Sequence, residues 1–309
     1  YKRQDFNWRY VMKIEMLEKI KNGKGFIAAL DQSGGSTPKA LLNYGVGEDE
    51  YKNEEEMFDL VHKMRTRIVK SKAFTGDKIV GAILFEKTMN SEVDGMPTAD
   101  YLWEKKNVVP FLKIDKGLAD EKDGVRLMKE IPNIDARLED AVKKNIFGTK
   151  MRSVINKLSK EGIEEIVSQQ FDFAKTIASH GLVPIIEPEI TITMDNKAVA
   201  EEVLLESLLR HLKEWDQEKP VMFKLTLPEK KNLYLPLYDF KATVRVVALS
   251  GGYSREESNR RLAENDRVSA SFSRALTEGL NVKMTEEEFD RHLGESIDSI
   301  YLSLIHISE

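Results

Sequence analysis

Val221-Met222-Phe223-Lys224-Leu225-Thr226-Leu227-Pro228 reads as a buried strand interrupted by one lysine. Successive strand residues point to opposite faces. Val221, Phe223, Leu225 and Leu227 therefore share one wholly apolar face, and Met222, Lys224 and Thr226 share the other. Two readings of Lys224 follow. Near a strand end it can snorkel, laying its methylenes on apolar surface and keeping its ammonium in water. Held inside, a lysine loses hydration, which favours the neutral amine, a nucleophile. The rest of the chain decides between them.

Seven other stretches have the same apolar, strand-like character: 25–31, 79–85, 108–114, 146–154, 182–189, 244–250 and 268–272. Segments with helical periodicity lie between them, at 57–68, 136–144, 163–179, 198–212 and 256–265, and another at 12–22 precedes the first. Strands apolar on both faces belong to a parallel sheet covered by helices. Eight such units in 309 residues is the arithmetic of an α/β TIM (β/α)8 barrel in a single domain. A doubly wound open sheet is the alternative, but no GxGxxG follows the first strand. We expect the barrel to span 12–301, with 1–11 and 302–309 as non-native or disordered ends.

Composition narrows the function. The chain carries 47 basic and 52 acidic residues, a net charge of −5. That balance argues against a nucleic-acid or anionic-membrane partner but leaves room for a local basic pocket. With no cysteine, disulfides, thiolate catalysis and cysteine metal sites are excluded. The five histidines, His62, His180, His211, His292 and His306, form no HxH or HxxxH pair, so no resident metal is expected. There is no apolar run long enough for a transmembrane helix and no signal-peptide core, so the expected location is cytoplasmic. A homo-oligomer is compatible with these features.

The C-terminal ends of barrel strands carry active sites, and here they are polar. The first strand ends at Asp31, the third at Lys113 and Asp115, the fourth at Lys150 and Arg152, and the fifth at Glu187 and Glu189. The sixth carries Lys224. The seventh ends at Ser250-Gly251-Gly252, and the eighth at Ser271, Ser273 and Arg274. Residues two apart share a strand face, so Lys113/Asp115, Lys150/Arg152, Glu187/Glu189 and Ser271/Ser273 each point one way. A single pair could be a structural ion-pair network. Several converging on one mouth point to a polar, anionic ligand. Loops after strands seven and eight often bind phosphate in this architecture. Ser250, Gly251 and Gly252 offer backbone N–H groups and Arg274 a bidentate fork. Ser33, Gly34, Gly35 and Ser36, with Lys39, form a second candidate loop. A strand lysine beside a carboxylate and a second cation is equipment for Schiff-base chemistry, with Lys150 favouring the neutral form of Lys224 and Glu187 moving protons.

These motifs resemble class I fructose-1,6-bisphosphate aldolases, most closely the bacterial single-domain branch. The likeness rests on Gly23-Lys24-Gly25 leading to Asp31, Ile83-Leu84-Phe85, Lys113-Ile114-Asp115-Lys116-Gly117 and Lys150-Met151-Arg152. It continues through Val183-Pro184-Ile185-Ile186-Glu187-Pro188-Glu189, Lys224, Leu249-Ser250-Gly251-Gly252 and Ser273-Arg274-Ala275-Leu276. The resemblance implies reversible, metal-independent and cofactor-free cleavage of a sugar bisphosphate through a lysine Schiff base, in glycolysis or gluconeogenesis. Lys224 would be the Schiff-base lysine and Glu187 the proton shuttle, supported by Asp31, Lys150 and Glu189. Ser250, Gly251 and Arg274 match the 1-phosphate site, and Ser33, Ser36, Lys113 and Arg152 match positions facing the 6-phosphate. Gly252 and Ser273 join the phosphate-binding set through their motifs.

The chain also departs from the animal enzymes. Its first loop reads Asp31-Gln32-Ser33-Gly34-Gly35 instead of Asp-Glu-Ser-Thr-Gly. Ala40 stands where those enzymes have an arginine, and Tyr301 is not a convincing substitute for their C-terminal tyrosine. Other Schiff-base aldolases, of the tagatose-bisphosphate or transaldolase-like kind, and a non-catalytic sugar-phosphate-binding barrel are the alternatives.

Overall fold

The computed structural model describes residues 2–33 and 37–305. Gly34, Gly35 and Ser36 of the first loop lie outside the described residues, and the assignment of Ser36 lies outside with them. Eight strands form the wall: β1 (Phe26–Leu30), β2 (Ile79–Leu84), β3 (Val109–Lys113), β4 (Gly148–Ile155), β5 (Val183–Ile190), β6 (Val221–Thr226), β7 (Thr243–Leu249) and β8 (Val268–Ala270). Each pairs with the next in chain order, and every pairing is parallel. The circle comes together where Ala29 N–H donates to the Phe272 carbonyl at 3.3 Å. This is the expected TIM barrel. All eight apolar runs became strands, because residues buried on both faces need the backbone pairing that a covered sheet supplies.

The main helices are α1 (Lys2–Asn22), α2 (Glu54–Lys70), α3 (Ile134–Lys143), α4 (Lys160–Ser179), α5 (Lys197–Glu214), α6 (Arg255–Ala263) and α7 (Glu286–Ile305). Asn53, Ser159 and Ser254 cap α2, α4 and α6, each side chain accepting a first-turn N–H. Helix α1 is longer than its apolar stripe, which begins at Met12. Helical hydrogen bonding continues back to Lys2 without that stripe.

The barrel interior is layered along its axis. Met12, Met16 and Ile20 of α1 close the N-terminal end and pack on Ile27, Val109, Phe111, Val183, Ile185, Met222 and Val247 from the strands. Phe223, by contrast, belongs to the outer layer and lies 6.4 Å from Phe171 of α4. The alternation read from Val221–Thr226 therefore holds: Met222 faces the barrel axis and Phe223 the helices. Above the apolar layer the inward residues turn ionic.

Candidate active site

Four ionic side chains form a chain across the barrel at the C-terminal ends of the strands. Lys150 Nζ lies 2.6 Å from Asp31 Oδ2 and 3.0 Å from Glu187 Oε2. Glu187 Oε1 lies 3.1 Å from Lys224 Nζ. All four are deeply buried, Lys224 at 5% exposure and Glu187 at 2%. Lys224 therefore does not snorkel; its ammonium sits inside the barrel against a carboxylate. Burial raises the Asp31 carboxyl, but Lys150, and behind it Lys224 and Lys113, outweigh burial and hold it well below the usual carboxylate range. Burial also pushes Lys150 down, and Asp31, Glu187 and Asp115 together drive it well above the ordinary lysine value. Lys150 is a permanent cation here.

These groups line the floor and wall of a cavity of about 630 Å³ that also includes Gln32, Ser33, Lys113, Asp115, Gly117, Arg126, Arg152 and Ser273. On its β3–β4 side, Lys113 pairs with Asp115 at 2.6 Å and Arg152 Nε with Glu189 Oε2 at 2.7 Å. Burial lowers the Arg152 guanidinium, but its bond to Glu189 more than reverses this and raises it. Asp115 is further fixed by the N–H groups of Gly117 (3.1 Å) and Arg152 (3.2 Å). Glu189 thus reaches the site through Arg152.

The β7–β8 side lies across the mouth, because β3–β4 and β7–β8 are opposite in a closed order of eight. Gly251 and Gly252 have φ of 60° and 119°, a turn that side-chain-bearing residues rarely adopt. Tyr253 N–H closes it on the Ser250 carbonyl at 3.0 Å. The Arg274 guanidinium sits beside this turn: a Cβ added at Gly252 would lie 3.5 Å from its Nη2. Arg274 lines a neighbouring cavity of about 320 Å³ with Lys39 and Ala40, and the two cavities share Gln32 and Ser273. The Gln32 amide donates to the Ser273 hydroxyl, tying the loop after β1 to the segment after β8.

One expectation is corrected, and one stated departure agrees with the structure. Ser271 does not join Ser273 at the mouth. The backbone leaves the extended conformation at Ser273 (φ −105°, ψ −67°), so the two-residue alternation does not carry to it, and Ser271 is buried with its hydroxyl unpartnered. Tyr301 lies at the opposite end of the barrel, in a cavity of about 470 Å³ with Lys21, Gly25, Arg245 and Val268. It is remote from Lys224.

Sequence reasoning missed the residues that hold the site from behind. Gln170 of α4 is fully buried. Its Oε1 accepts the Glu187 N–H at 2.9 Å, and its Nε2 donates to Ser153 Oγ at 3.0 Å. Buried Arg65 of α2 donates to Thr88 Oγ1 at 2.8 Å and to the Gln32 carbonyl, fixing the chain just after Asp31. The β5–β6 ladder stops at Ile186–Phe223. Beyond it the Thr226 hydroxyl bridges to Ile190 N and O, each at 2.9 Å. Lys197 of α5 holds the segment after β6 through the Leu227 carbonyl (2.8 Å) and the Glu229 carboxylate (3.1 Å). Each of these is a polar residue in a helix or strand pattern whose partner lies far along the chain, so no local signal marks it.

Among the described residues no group of three or more His, Asp or Glu is arranged to hold a metal ion, and no helix is long and apolar enough to cross a membrane. The structure is similar to one described as the ternary co-crystal structure of fructose-bisphosphate aldolase from Plasmodium falciparum in complex with TRAP and a small molecule inhibitor. The TM-score is 0.75 over 94% of this chain and 94% of that one, at 22% identity. That likeness establishes the fold. The family evidence is in the sequence: residues 12–236, from the α1 plug through β6, match the glycolytic fructose-bisphosphate aldolase class-I family. The match covers well over half the chain and includes Asp31, Lys150, Glu187 and Lys224; the chain belongs to the class-I fructose-bisphosphate aldolase family.

Proposed function

We propose that the protein is a lyase that cleaves fructose 1,6-bisphosphate reversibly to dihydroxyacetone phosphate and glyceraldehyde 3-phosphate through a Schiff base on Lys224. The observation that carries this reading is the buried Lys224–Glu187–Lys150 chain, with contacts of 3.1 and 3.0 Å, lying between two cationic flanks of one mouth. A ketose with a phosphate at each end fits that layout, its C2 carbonyl over Lys224.

The chemistry follows from these groups. Glu187 takes the ammonium proton of Lys224, and the free amine adds to C2. Protons returned by Glu187 let the C2 oxygen leave as water, giving an iminium. The iminium nitrogen draws in the electron pair of the C3–C4 bond as the C4 hydroxyl loses its proton to Glu187. The C4 oxygen becomes the aldehyde of glyceraldehyde 3-phosphate, and an enamine remains on Lys224. Protonation at C3 and hydrolysis then release dihydroxyacetone phosphate and the amine. The iminium is itself the electron sink, so no step calls for a metal. Lys150 stays cationic and stabilises negative charge developing on the C4 oxygen. Asp31, held well below the usual range, is a poor base and serves as the fixed anion that orients Lys150. Arg152, Lys113 and Ser33 are assigned to the 6-phosphate; Ser250, Gly251, Gly252, Ser273 and Arg274 are assigned to the 1-phosphate.

Borohydride reduction in the presence of dihydroxyacetone phosphate, followed by peptide mass mapping, tests the reading. A stable adduct on Lys224 is expected. No adduct, together with cleavage activity abolished by EDTA, overturns it.

A further inference from the structure

Five cations line the mouth cavity: Lys113, Arg126, Lys150, Arg152 and Lys224. Four are ion-paired, with Asp115, with Asp31 and Glu187, with Glu189, and with Glu187 respectively. Arg126 is different. Among the described residues it has no carboxylate within ion-pair distance, and its one hydrogen bond runs from Nε to the Ala119 carbonyl at 2.8 Å. Its two terminal nitrogens are therefore uncommitted.

The element that carries Arg126 is pinned on every side. Val125 and Arg126 pair antiparallel with Ile155 and Val154 of β4. Within the excursion, Ala119 N–H donates to Leu127 O at 2.9 Å and Lys129 N–H to Gly117 O at 3.0 Å. Gln169 of α4 grips Met128 through both its N–H (2.9 Å) and its carbonyl (3.0 Å). The Gly124 carbonyl accepts the N–H groups of Asn156 (2.8 Å) and Lys157 (2.9 Å). An arginine on so fixed a hairpin, with its Nε anchored, presents a preorganised fork.

We propose that Arg126 binds the substrate phosphate on the β3–β4 side of the mouth, the one that leaves with the aldehyde product, and so sets the preference for a bisphosphate over a monophosphate. The proposal deepens the aldolase reading and rests on it. Lys113 and Arg152 must loosen Asp115 and Glu189 to engage a phosphate fully. Arg126 can do so without breaking an ion pair, so its contribution is not offset by a lost partner.

The test compares fructose 1,6-bisphosphate with fructose 1-phosphate, which lacks the distal group, in Arg126→Ala and Arg126→Gln. The glutamine variant keeps a donor for Ala119 and removes the charge. KM for the bisphosphate should rise about 10- to 100-fold, kcat/KM for fructose 1-phosphate should stay within about twofold, and the borohydride adduct of Lys224 with dihydroxyacetone phosphate should form as in the wild type. An unchanged KM for the bisphosphate, or an equal loss on both substrates in both variants, overturns the Arg126 assignment while the adduct leaves the aldolase reading standing. A wild-type protein that forms no adduct refutes the aldolase reading and this assignment together.

Discussion

Two buried cations sit at opposite ends of the barrel, Lys150 at 3% exposure and Arg245 at 8%. Lys150 is answered by carboxylates, Asp31 and Glu187. Arg245 is answered by neutral oxygens: the carbonyls of Ile20 (2.6 Å), Gly23 (2.6 Å) and Gly25 (3.1 Å), with Ser269 Oγ at 3.2 Å. Burial pushes both down, yet only Lys150 is driven back up, because only it has carboxylates at hand; Tyr238 offsets little of the burial of Arg245. Backbone carbonyls cannot change protonation or swing away, so Arg245 is a fixed joint between the end of α1 and β7. Carboxylates can do both. The end closed by α1 satisfies its buried charge with groups that do not exchange, and the end to which we assign the chemistry uses groups that do.

The sharpest break of this contrast is Lys224→Met, which removes the nucleophile we propose at nearly constant volume. We expect kcat to fall on the order of 10⁴-fold or more while the circular dichroism spectrum and melting temperature stay near wild type. Turnover surviving within tenfold would place the chemistry elsewhere. Arg245→Met acts on the other end. It leaves three carbonyls without a donor, each costing about 1–3 kcal/mol if buried, so urea unfolding should show a loss of about 3–5 kcal/mol. The kinetic constants of the folded fraction should be unchanged; a selective loss of kcat would mean the two ends are not separate.

Asp31→Asn sharpens the comparison through pH. The folded carboxyl lies below its unfolded value, so its stabilisation is present above about pH 4 and is lost as pH falls through the folded pKa. Wild type should exceed the variant by on the order of 2 kcal/mol at pH 7, and the gap should narrow steadily below about pH 4. A gap independent of pH would mean that Asp31 acts through packing. The smallest effect belongs to an exposed surface pair. Lys241 and Glu218 are 2.5 Å apart with side chains about 70% exposed, and Lys241→Ala should change unfolding free energy by less than about 0.5 kcal/mol.

The barrel was legible because its strands are apolar on both faces, and polar residues at their ends stand out against that background. Lys224, Glu187, Lys150 and Asp31 all interrupt such runs near the same end. The supports were not legible. Gln170 stands beside Phe171 in a helical pattern and reads as a surface amide, yet it is fully buried under Glu187. Arg245 alternates like any strand residue, and its three carbonyl partners lie more than two hundred positions earlier. Arg126 occurs in a polar stretch that joins the sheet only by pairing with β4. Ser271 misled because its spacing from Ser273 has meaning only where the backbone stays extended, and it turns at Ser273.

The plug at the N-terminal end also orders events in time. Met12, Met16 and Ile20 precede every strand in the chain, yet the cavity they fill needs β7, and the Arg245–Ile20 bond spans 225 positions. The helix that precedes the wall in the chain is thus expected to dock last, its apolar stripe exposed while the wall assembles. Pulse-labelled hydrogen exchange during refolding should find the amides of 12–22 protected only after those of β7.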